Sequence, residues 1–396
     1  MKVLLVNKFH YMKGGAESYY FTLADIFKKQ GHEVIFFSMK HEKNYPCDQE
    51  KYFVSNKEYN NKTSLIDKFK AYRTLIYSNE AYIKMNQLLN DEKPDLVILN
   101  NIHRQITTSI IDAISEHNIK MYWVAHDLIT LCPAYTMLDG NGSICEDCCN
   151  GKFKNCIRKK CVKNSRVKSS LAVKEAKYNL KNKIYDKVDK FITPSNFYRK
   201  KLIQYGFDEN KVIHRPNPLP LDTKYELNDK DEKYILYFGR LSKEKGVKTL
   251  IDSIKDINYR LIVLGTGPIE EEVKEYVNSN KITNVELLGF KLGEELTNYI
   301  RNSRCVVLPS EWYENGPYSA MEAMALGKPL IVSNLGGLPE LVEQNKNGYI
   351  FTSKEELKES LIKMINLNEE EYKSMCNSSL EKSKELFNPY IYTFEE

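Results

Sequence analysis

Short apolar runs alternate with longer amphipathic stretches along this chain, the pattern of parallel β-sheets covered by helices on both faces. In the first half the runs fall at 3–7, 34–38, 96–100, 121–126 and 191–194, and each reads as a strand. In the second half they fall at 234–239, 260–265, 285–290, 305–308 and 330–333. Between the first two runs Ala16, Tyr20, Leu23, Ala24 and Phe27 recur at helical spacing, which predicts a helix with its stripe against a core, and Gly31 ends it.

The alternation is interrupted at Pro216, Pro218 and Pro220, followed by a charged stretch, 224–233, without apolar periodicity. Prolines at this density resist both a helix and a central strand, so a linker is expected at 216–232. It separates an N-terminal domain, 1–215, from a second domain, 233–385, with a closing segment at 386–396. A chain of 396 residues exceeds what one hydrophobic core serves, in agreement with two domains. The fold class is therefore α/β, with two Rossmann-like, doubly wound parallel-sheet domains facing an interdomain cleft. Open sheets of this kind bind ligands beyond the carboxyl ends of their strands, so the loops after strands should carry the chemistry.

A hydrophobic content of 42% and an aromatic content of 11% exclude a disordered chain. No window approaches 18 apolar residues, so nothing is expected to span a bilayer. The first residues begin directly as a strand, without the basic stretch and apolar core of a signal peptide, and a cytoplasmic location is expected. The net charge of +5 is mild but uneven: 152–183 holds twelve Lys or Arg against the single acid Glu175. Such a segment points to an anionic partner, which could be a membrane surface, a diphosphate-linked acceptor or nucleic acid.

Five loops draw attention. Lys13-Gly14-Gly15-Ala16-Glu17 opens a helix after the first strand, where glycine lets backbone approach a sugar or phosphate and tolerates positive φ. His126-Asp127 ends a strand of the first half and could meet a substrate hydroxyl. In the second half, Gly239 and Arg240 lead to Lys245; the guanidinium and ammonium could neutralise a departing nucleotide diphosphate, while Lys243 should face solvent. Gly265 closes the next strand in a turn expected to line the cleft. Glu314-Asn315-Gly316-Pro317-Tyr318 leads through a Gly-Pro turn into a helix, 318–326, that carries Glu322. Backbone N–H groups at that helix start can face a diphosphate, with Glu314 and Glu322 flanking as acceptors for sugar and ribose hydroxyls.

Six of the nine cysteines, Cys132, Cys145, Cys148, Cys149, Cys156 and Cys161, lie within 132–161. In a cytoplasmic chain such clustering reads as metal ligands before disulfides, so four of the six could hold a structural zinc ion; the alternative is a reduced, metal-free excursion.

Together these motifs resemble the retaining glycosyltransferases of family 4, which have the GT-B fold, and the resemblance runs through nearly the whole chain. It rests on Gly14-Gly15-Ala16-Glu17, His126-Asp127, Gly239-Arg240 with Lys245, and Glu314 followed by the block Glu322-Ala323-Met324-Ala325-Leu326-Gly327-Lys328-Pro329. It implies Glu314 and His126 near the transferred sugar, Glu322 on the ribose, and Arg240 and Lys245 on the diphosphate. It further implies no cofactor for catalysis, a nucleotide-sugar donor, a glycan or lipid-linked glycan acceptor, and no nucleic-acid partner. The resulting expectation is a retaining hexosyltransferase using a UDP- or GDP-sugar in cell-surface polysaccharide biosynthesis, peripheral to the inner face of the membrane through its basic segment. Two alternatives are a sugar-nucleotide 2-epimerase on the same fold and a non-catalytic, metal-stapled glycan-binding protein. The family's closing helix implies that 386–396 crosses back to the first domain.

Overall fold

The computed structural model describes residues 1–56 and 74–393. Its contacts divide the chain into two compact units, Met1–Arg215 and Pro216–Glu396. Among the described residues each unit is built on a six-stranded sheet, and every pairing in it is parallel.

The first sheet contains β1 (Lys2–Val6), β2 (Glu33–Phe37), β3 (Leu96–Leu99), β4 (Lys120–Val124), β5 (Lys190–Thr193) and β6 (Val212–His214), in the order β2-β1-β3-β4-β5-β6. The second contains β7 (Tyr234–Phe238), β8 (Arg260–Leu264), β9 (Val285–Gly289), β10 (Cys305–Leu308), β11 (Leu330–Ser333) and β12 (Gly348–Phe351), in the order β12-β11-β10-β7-β8-β9. This second order is that of a dinucleotide-binding Rossmann sheet, and the first departs from it by having one strand fewer on one side of its first strand and one more on the other.

The expected strands are present, but most stop one or two residues early. Gly239 and Gly265, at positive φ of 156° and 132°, already turn away from the sheet, and residues 125–126 follow the end of β4 at Val124. Two strands, β6 and β12, were not foreseen. Both lie at sheet edges, where a single neighbour suffices, and three or four residues leave too short an apolar run to register.

The sheet of the second unit is buried on both faces. Ile235, Tyr237, Leu261, Val263 and Val307 pack on one side with the helices Val247–Ile254 and Lys354–Asn366. Leu236, Phe238, Ile262, Val306 and Val332 pack on the other with the helix Tyr318–Ala325. This double burial explains strands that are apolar throughout instead of alternating. In the first unit the stripe Tyr20, Leu23, Ala24 and Phe27 lies in the core, on a helix Gly15–Lys29 that ends before Gly31.

The stretch expected as a linker is laid along the second unit. Leu219 is fully buried, and its N–H donates to the carbonyl of Phe387, as those of Glu226 and Glu232 do to Ala325 and Asn302. The helix Glu369–Phe387 begins in a capping box made by Asn368 and Glu371. Beyond it the Tyr390 hydroxyl donates to the carbonyl of Leu221. Residues 394–396 of the closing segment lie outside the described residues. No helix among the described residues is long and apolar enough to cross a membrane.

Candidate functional site

In the second unit the chain runs from β7 outward through β8 and β9, then returns to β10 on the other side of β7. The loops after β7 and β10 therefore diverge from adjacent strands, opening a crevice at the carboxyl edge of the sheet. The β7 loop carries a single turn, Lys243–Lys245, and ends at Gly246. Gly246 has φ of 68°, and a Cβ there would lie 1.8 Å from the carbonyl oxygen of Pro309. Only glycine permits that approach, which clasps the β7 loop to the β10 loop. The Glu311 N–H donates to the Glu244 carbonyl across the same seam, at 2.8 Å.

This clasp places Lys245 beside Glu314. The Glu314 side chain is buried, and its Oε1 accepts from Lys245 Nζ at 2.6 Å, Ser310 Oγ at 2.7 Å and Trp312 Nε1 at 2.8 Å. Among the described residues its Oε2 accepts no hydrogen bond. Burial alone pushes the carboxyl upward, but the Lys245 charge and these hydrogen bonds outweigh it and hold the group below the usual carboxylate range. The Lys245 ammonium also lies 5.4 Å from the Trp312 ring centroid. The Glu314 backbone is fixed as well: its carbonyl accepts from the Gly337 N–H at 2.7 Å. Gly336, with φ of 66°, passes so close that a Cβ would meet the same oxygen at 2.2 Å.

The Gly316-Pro317 turn leads into the helix Tyr318–Ala325, as the sequence implies. Asn217 Nδ2 donates to the Gly316 carbonyl at 3.0 Å, and the Tyr318 hydroxyl to that of Pro218 at 3.1 Å. Both contacts brace the helix start. Glu322, one turn in, has neither a hydrogen bond nor an ion pair to its side chain among the described residues, and burial pushes its carboxyl up to about 7. Arg240 is exposed and forms no ion pair among them, and Lys243 is exposed as expected. The structure thus brings Lys245 and Glu314 into contact and leaves Arg240 and Glu322 without partners among the described residues. The turn after β8 packs on the β7 loop, where the Leu241 N–H donates to the Thr266 carbonyl at 2.9 Å. Three contributors to the crevice, Ser310, Trp312 and Gly336, were not foreseen, because their roles depend on which loops meet.

In the first unit the direction of winding changes between β1 and β3. Gly14 caps the helix at Gly15, its carbonyl accepting from the N–H groups of Glu17 and Ser18. Its φ is −176°, so the positive φ that the glycine pair suggested is not used at Gly14; both glycines are exposed instead. Beneath them Asn7 Nδ2 donates to buried Glu17 at 3.1 Å, and Asn7 Oδ1 accepts from the Asn101 N–H at 3.2 Å, tying the two loops together. His126 Nε2 donates to Asn100 Oδ1 at 2.9 Å, which leaves Nδ1 as an acceptor. The Tyr19 ring lies edge-on to His126 at 5.1 Å. Burial lowers the imidazole pKa to about 4, so it is neutral near pH 7. Asp127 Oδ1 accepts from the Ile129 N–H, so this side chain shapes its own turn. Asn7 and Asn100 were missed, being the polar residues that directly follow apolar strands.

The structure divides the six clustered cysteines. The thiols of Cys148 and Cys161 both hydrogen-bond to that of fully buried Cys156, whose pKa is raised by them, and Cys132 lies near Cys148 and Cys161. Cys145 instead accepts from Lys159 Nζ at 3.3 Å, and Cys149 faces Tyr205. All nine cysteines are free thiols. Among the described residues no three His, Cys, Asp or Glu side chains converge so as to hold a metal ion.

A family model described as Glycosyltransferase Family 4 matches residues 13–223, more than half of the chain, and one described as Glycosyl transferases group 1 matches residues 221–381. The chain belongs to glycosyltransferase family 4. An uncharacterized glycosyltransferase of Methanocaldococcus jannaschii is 33% identical over 50% of this chain and 55% of its own. The amylovoran biosynthesis glycosyltransferase AmsK of Erwinia amylovora is 29% identical over 39% of this chain and 42% of its own. The chain thus spans about half the length of these curated relatives, or less. The solved structure of Anabaena HepE in complex with UDP superposes with a TM-score of 0.68 at 17% identity, over 98% of this chain and 96% of that one. That likeness establishes the GT-B fold.

Proposed function

We propose that this protein is a retaining glycosyltransferase that moves a hexosyl group from a UDP- or GDP-sugar to a glycan or lipid-linked glycan acceptor in cell-surface polysaccharide assembly. The observation that carries the reading is the crevice between β7 and β10. There Glu314 is fixed through Oε1 with Oε2 left over, and Glu322 and Arg240 have no partner among the described residues. A buried carboxylate held through one oxygen, beside a second carboxyl whose pKa burial raises and an exposed guanidinium, is the kind of charged cluster that marks ligand sites. The naming of AmsK in amylovoran biosynthesis and the UDP bound to HepE support the pathway class and the donor class.

In this reading Arg240 and Lys245 receive the diphosphate, so its growing charge is met by a guanidinium and an ammonium without a catalytic ion. Glu322 accepts from ribose hydroxyls and Glu314 Oε2 from the sugar. Neutral His126 offers Nδ1 to a sugar hydroxyl. The bond between the anomeric carbon and the phosphate oxygen breaks, with its electron pair passing to the diphosphate. The acceptor oxygen joins the same face, and its proton goes to the departing phosphate oxygen, which accounts for retention. Each lost charge contact of this kind lowers the rate ~10²–10³-fold.

A thermal-shift panel of sugar nucleotides tests the donor, since a ligand at one hundred times its Kd stabilises by about 2.7 kcal/mol. Stabilisation by a UDP- or GDP-sugar, followed by transfer with retained anomeric configuration in EDTA, is the expected result. A donor that is epimerised in the absence of acceptor, or no stabilisation by any sugar nucleotide, would overturn the reading.

A further inference from the structure

The first unit gathers three cations beyond the carboxyl ends of β1 and β3, the point at which its winding changes direction. Lys8 and Lys13 lie in the loop after β1, and Arg104 in the loop after β3. The Asn7–Asn101 hydrogen bond, at 3.2 Å, ties these two loops together next to Lys8. The Lys8 carbonyl accepts from Ser38 Oγ at 3.0 Å, so its backbone is fixed from the side of β2 as well. The ammonium groups of Lys8 and Lys13 lie 5.1 Å and 3.6 Å from the centroid of one ring, that of Phe9. The Arg104 guanidinium lies 5.7 Å from the Tyr135 ring centroid, and its Nη2 donates to the Pro133 carbonyl at 3.4 Å. Arg104 also has φ of 70°, a left-handed conformation that costs stability in a residue with a side chain and recurs at ligand sites.

Two acids stand near these cations, and neither balances Lys8. Glu17 is buried and accepts from Asn7 Nδ2 at 3.1 Å. Glu175 has one oxygen 2.9 Å from His103 Nδ1 and the other 3.9 Å from Arg104 Nε. Lys8 is half-buried, and its ammonium has neither a hydrogen bond nor an ion pair among the described residues. Burial, then the charges of Lys13 and Arg104, lower its pKa to about 8, and Glu17 opposes them less strongly than either. A desolvated ammonium beside two like charges is unfavourable in the protein alone, and an anion placed among the three would relieve it.

We propose that Lys8, Lys13 and Arg104 bind a phosphate carried by the acceptor. A dianion matches three cations better than a single carboxylate does, and the planar fork of Arg104 suits phosphate oxygens. The donor diphosphate does not account for them, because in the proposed reading Arg240 and Lys245 of the second unit already receive it. Assignment to the acceptor rests on that transferase reading, whereas the phosphate site itself does not. Two sources share this chemistry, an isoprenoid diphosphate carrier and a phosphorylated glycan, and the experiment separates them.

The test is calorimetric titration of the full chain, with UDP and GDP present to fill the donor crevice, using farnesyl diphosphate beside farnesol and glucose 6-phosphate beside glucose. The expected result is saturable binding of at least one phosphorylated probe, about tenfold or more tighter than its unphosphorylated counterpart and weakened by salt. The tighter of the two probes names the source of the phosphate. Lys8→Gln and Arg104→Gln should each weaken that binding about tenfold or more. Because Arg104→Gln could disturb folding, Lys8→Gln is the decisive variant: it removes a charge without a partner among the described residues, and its Tm should not fall. Both variants should keep the wild-type response to sugar nucleotides. Absence of binding by both phosphorylated probes, binding no tighter than that of farnesol and glucose, or undiminished binding by Lys8→Gln would overturn the proposal. Loss of the sugar-nucleotide response in Lys8→Gln would overturn it too, by assigning these cations to the donor. Phosphate binding that depends on Lys8, in a chain that no sugar nucleotide stabilises, would overturn the transferase reading and the acceptor assignment with it while upholding the phosphate site.

Discussion

Lys245 Nζ lies 2.6 Å from Glu314 Oε1, although the two residues are 69 positions apart and leave different strands. The contact exists because Gly246 lets the β7 loop touch Pro309, so backbone approach, not side-chain reach, sets the pair. Lys245 thus neutralises a buried carboxylate in the protein alone, and in the proposed reading it also faces the donor diphosphate.

Lys245→Ala should therefore lose stability as well as turnover. Removing one partner of a buried pair costs ~3–5 kcal/mol, and solvent at Lys245 reduces this to about 2–3 kcal/mol. Exposed Arg240, with no ion pair among the described residues to abandon, should on replacement by Ala lower turnover ~10²-fold or more at unchanged stability, and Lys243→Ala should change neither. Denaturant unfolding beside steady-state kinetics separates the three. Equal kinetic losses at Lys243 and Lys245 would contradict the assignment.

Glu322 supplies a pH signature. Its folded pKa of about 7 lies above the ordinary value of 4.5, so its contribution to stability is present below about 4.5 and lost as pH rises through 7. Glu322→Gln should raise Tm at pH 8 and leave it nearly unchanged at pH 4. Ribose hydroxyls would favour the ionised form, so nucleotide binding at pH 7 should release up to about half a proton in wild type and none in the variant. Titration calorimetry in buffers of different ionisation enthalpy measures this directly, and identical buffer dependence in both proteins would remove Glu322 from the nucleotide site.

Glu314→Gln keeps the shape of the side chain but removes the charge opposite Lys245. Binding of free nucleotide should persist, while transfer falls ~10²-fold or more. In the wild type the lowered Glu314 pKa contributes stability that is present above about 4.5 and lost as pH falls through the folded value; the variant should lack that acid dependence. Loss of free-nucleotide binding in Glu314→Gln would exchange its role with that of Glu322.

His126 should remain neutral throughout the working range. Its folded pKa of about 4 lies below the ordinary 6.5, so its contribution to stability is present above 6.5 and lost as pH falls toward 4. The imidazole resonances should therefore show no titration between pH 8 and 5. His126→Ala should lower transfer without altering nucleotide binding, and a midpoint near 6.5 would show that the ring is not desolvated in solution.

If an ion joins the cysteines, Cys132, Cys148, Cys156 and Cys161 are the ligands we propose, with their sulfurs closing from the present arrangement; Cys145 and Cys149 are otherwise engaged. Elemental analysis of protein purified without added metal should then give about one zinc per chain, lost in Cys156→Ser and kept in Cys149→Ser. A metal-free wild type would remove the assignment and leave the thiols as packing.

The sequence by itself determined the architecture and the class of site. Runs such as Cys305–Leu308 are apolar at every position because both faces of a parallel strand are buried, and that requirement is local enough to read. The glycines, prolines and carboxylates at strand ends were legible for the same reason: they mark where backbone must turn and where polar atoms have no ladder to join. Edge strands β6 and β12 were too short to leave a period. What only the tertiary structure decided was pairing. Which oxygen of Glu314 is occupied, that Asn100 fixes the tautomer of His126, that Glu322 has no partner among the described residues, and which cysteines meet all depend on loops brought together from distant positions. Desolvation, hydrogen bonding and charge act over a few ångströms of space, and no sequence separation reports that distance.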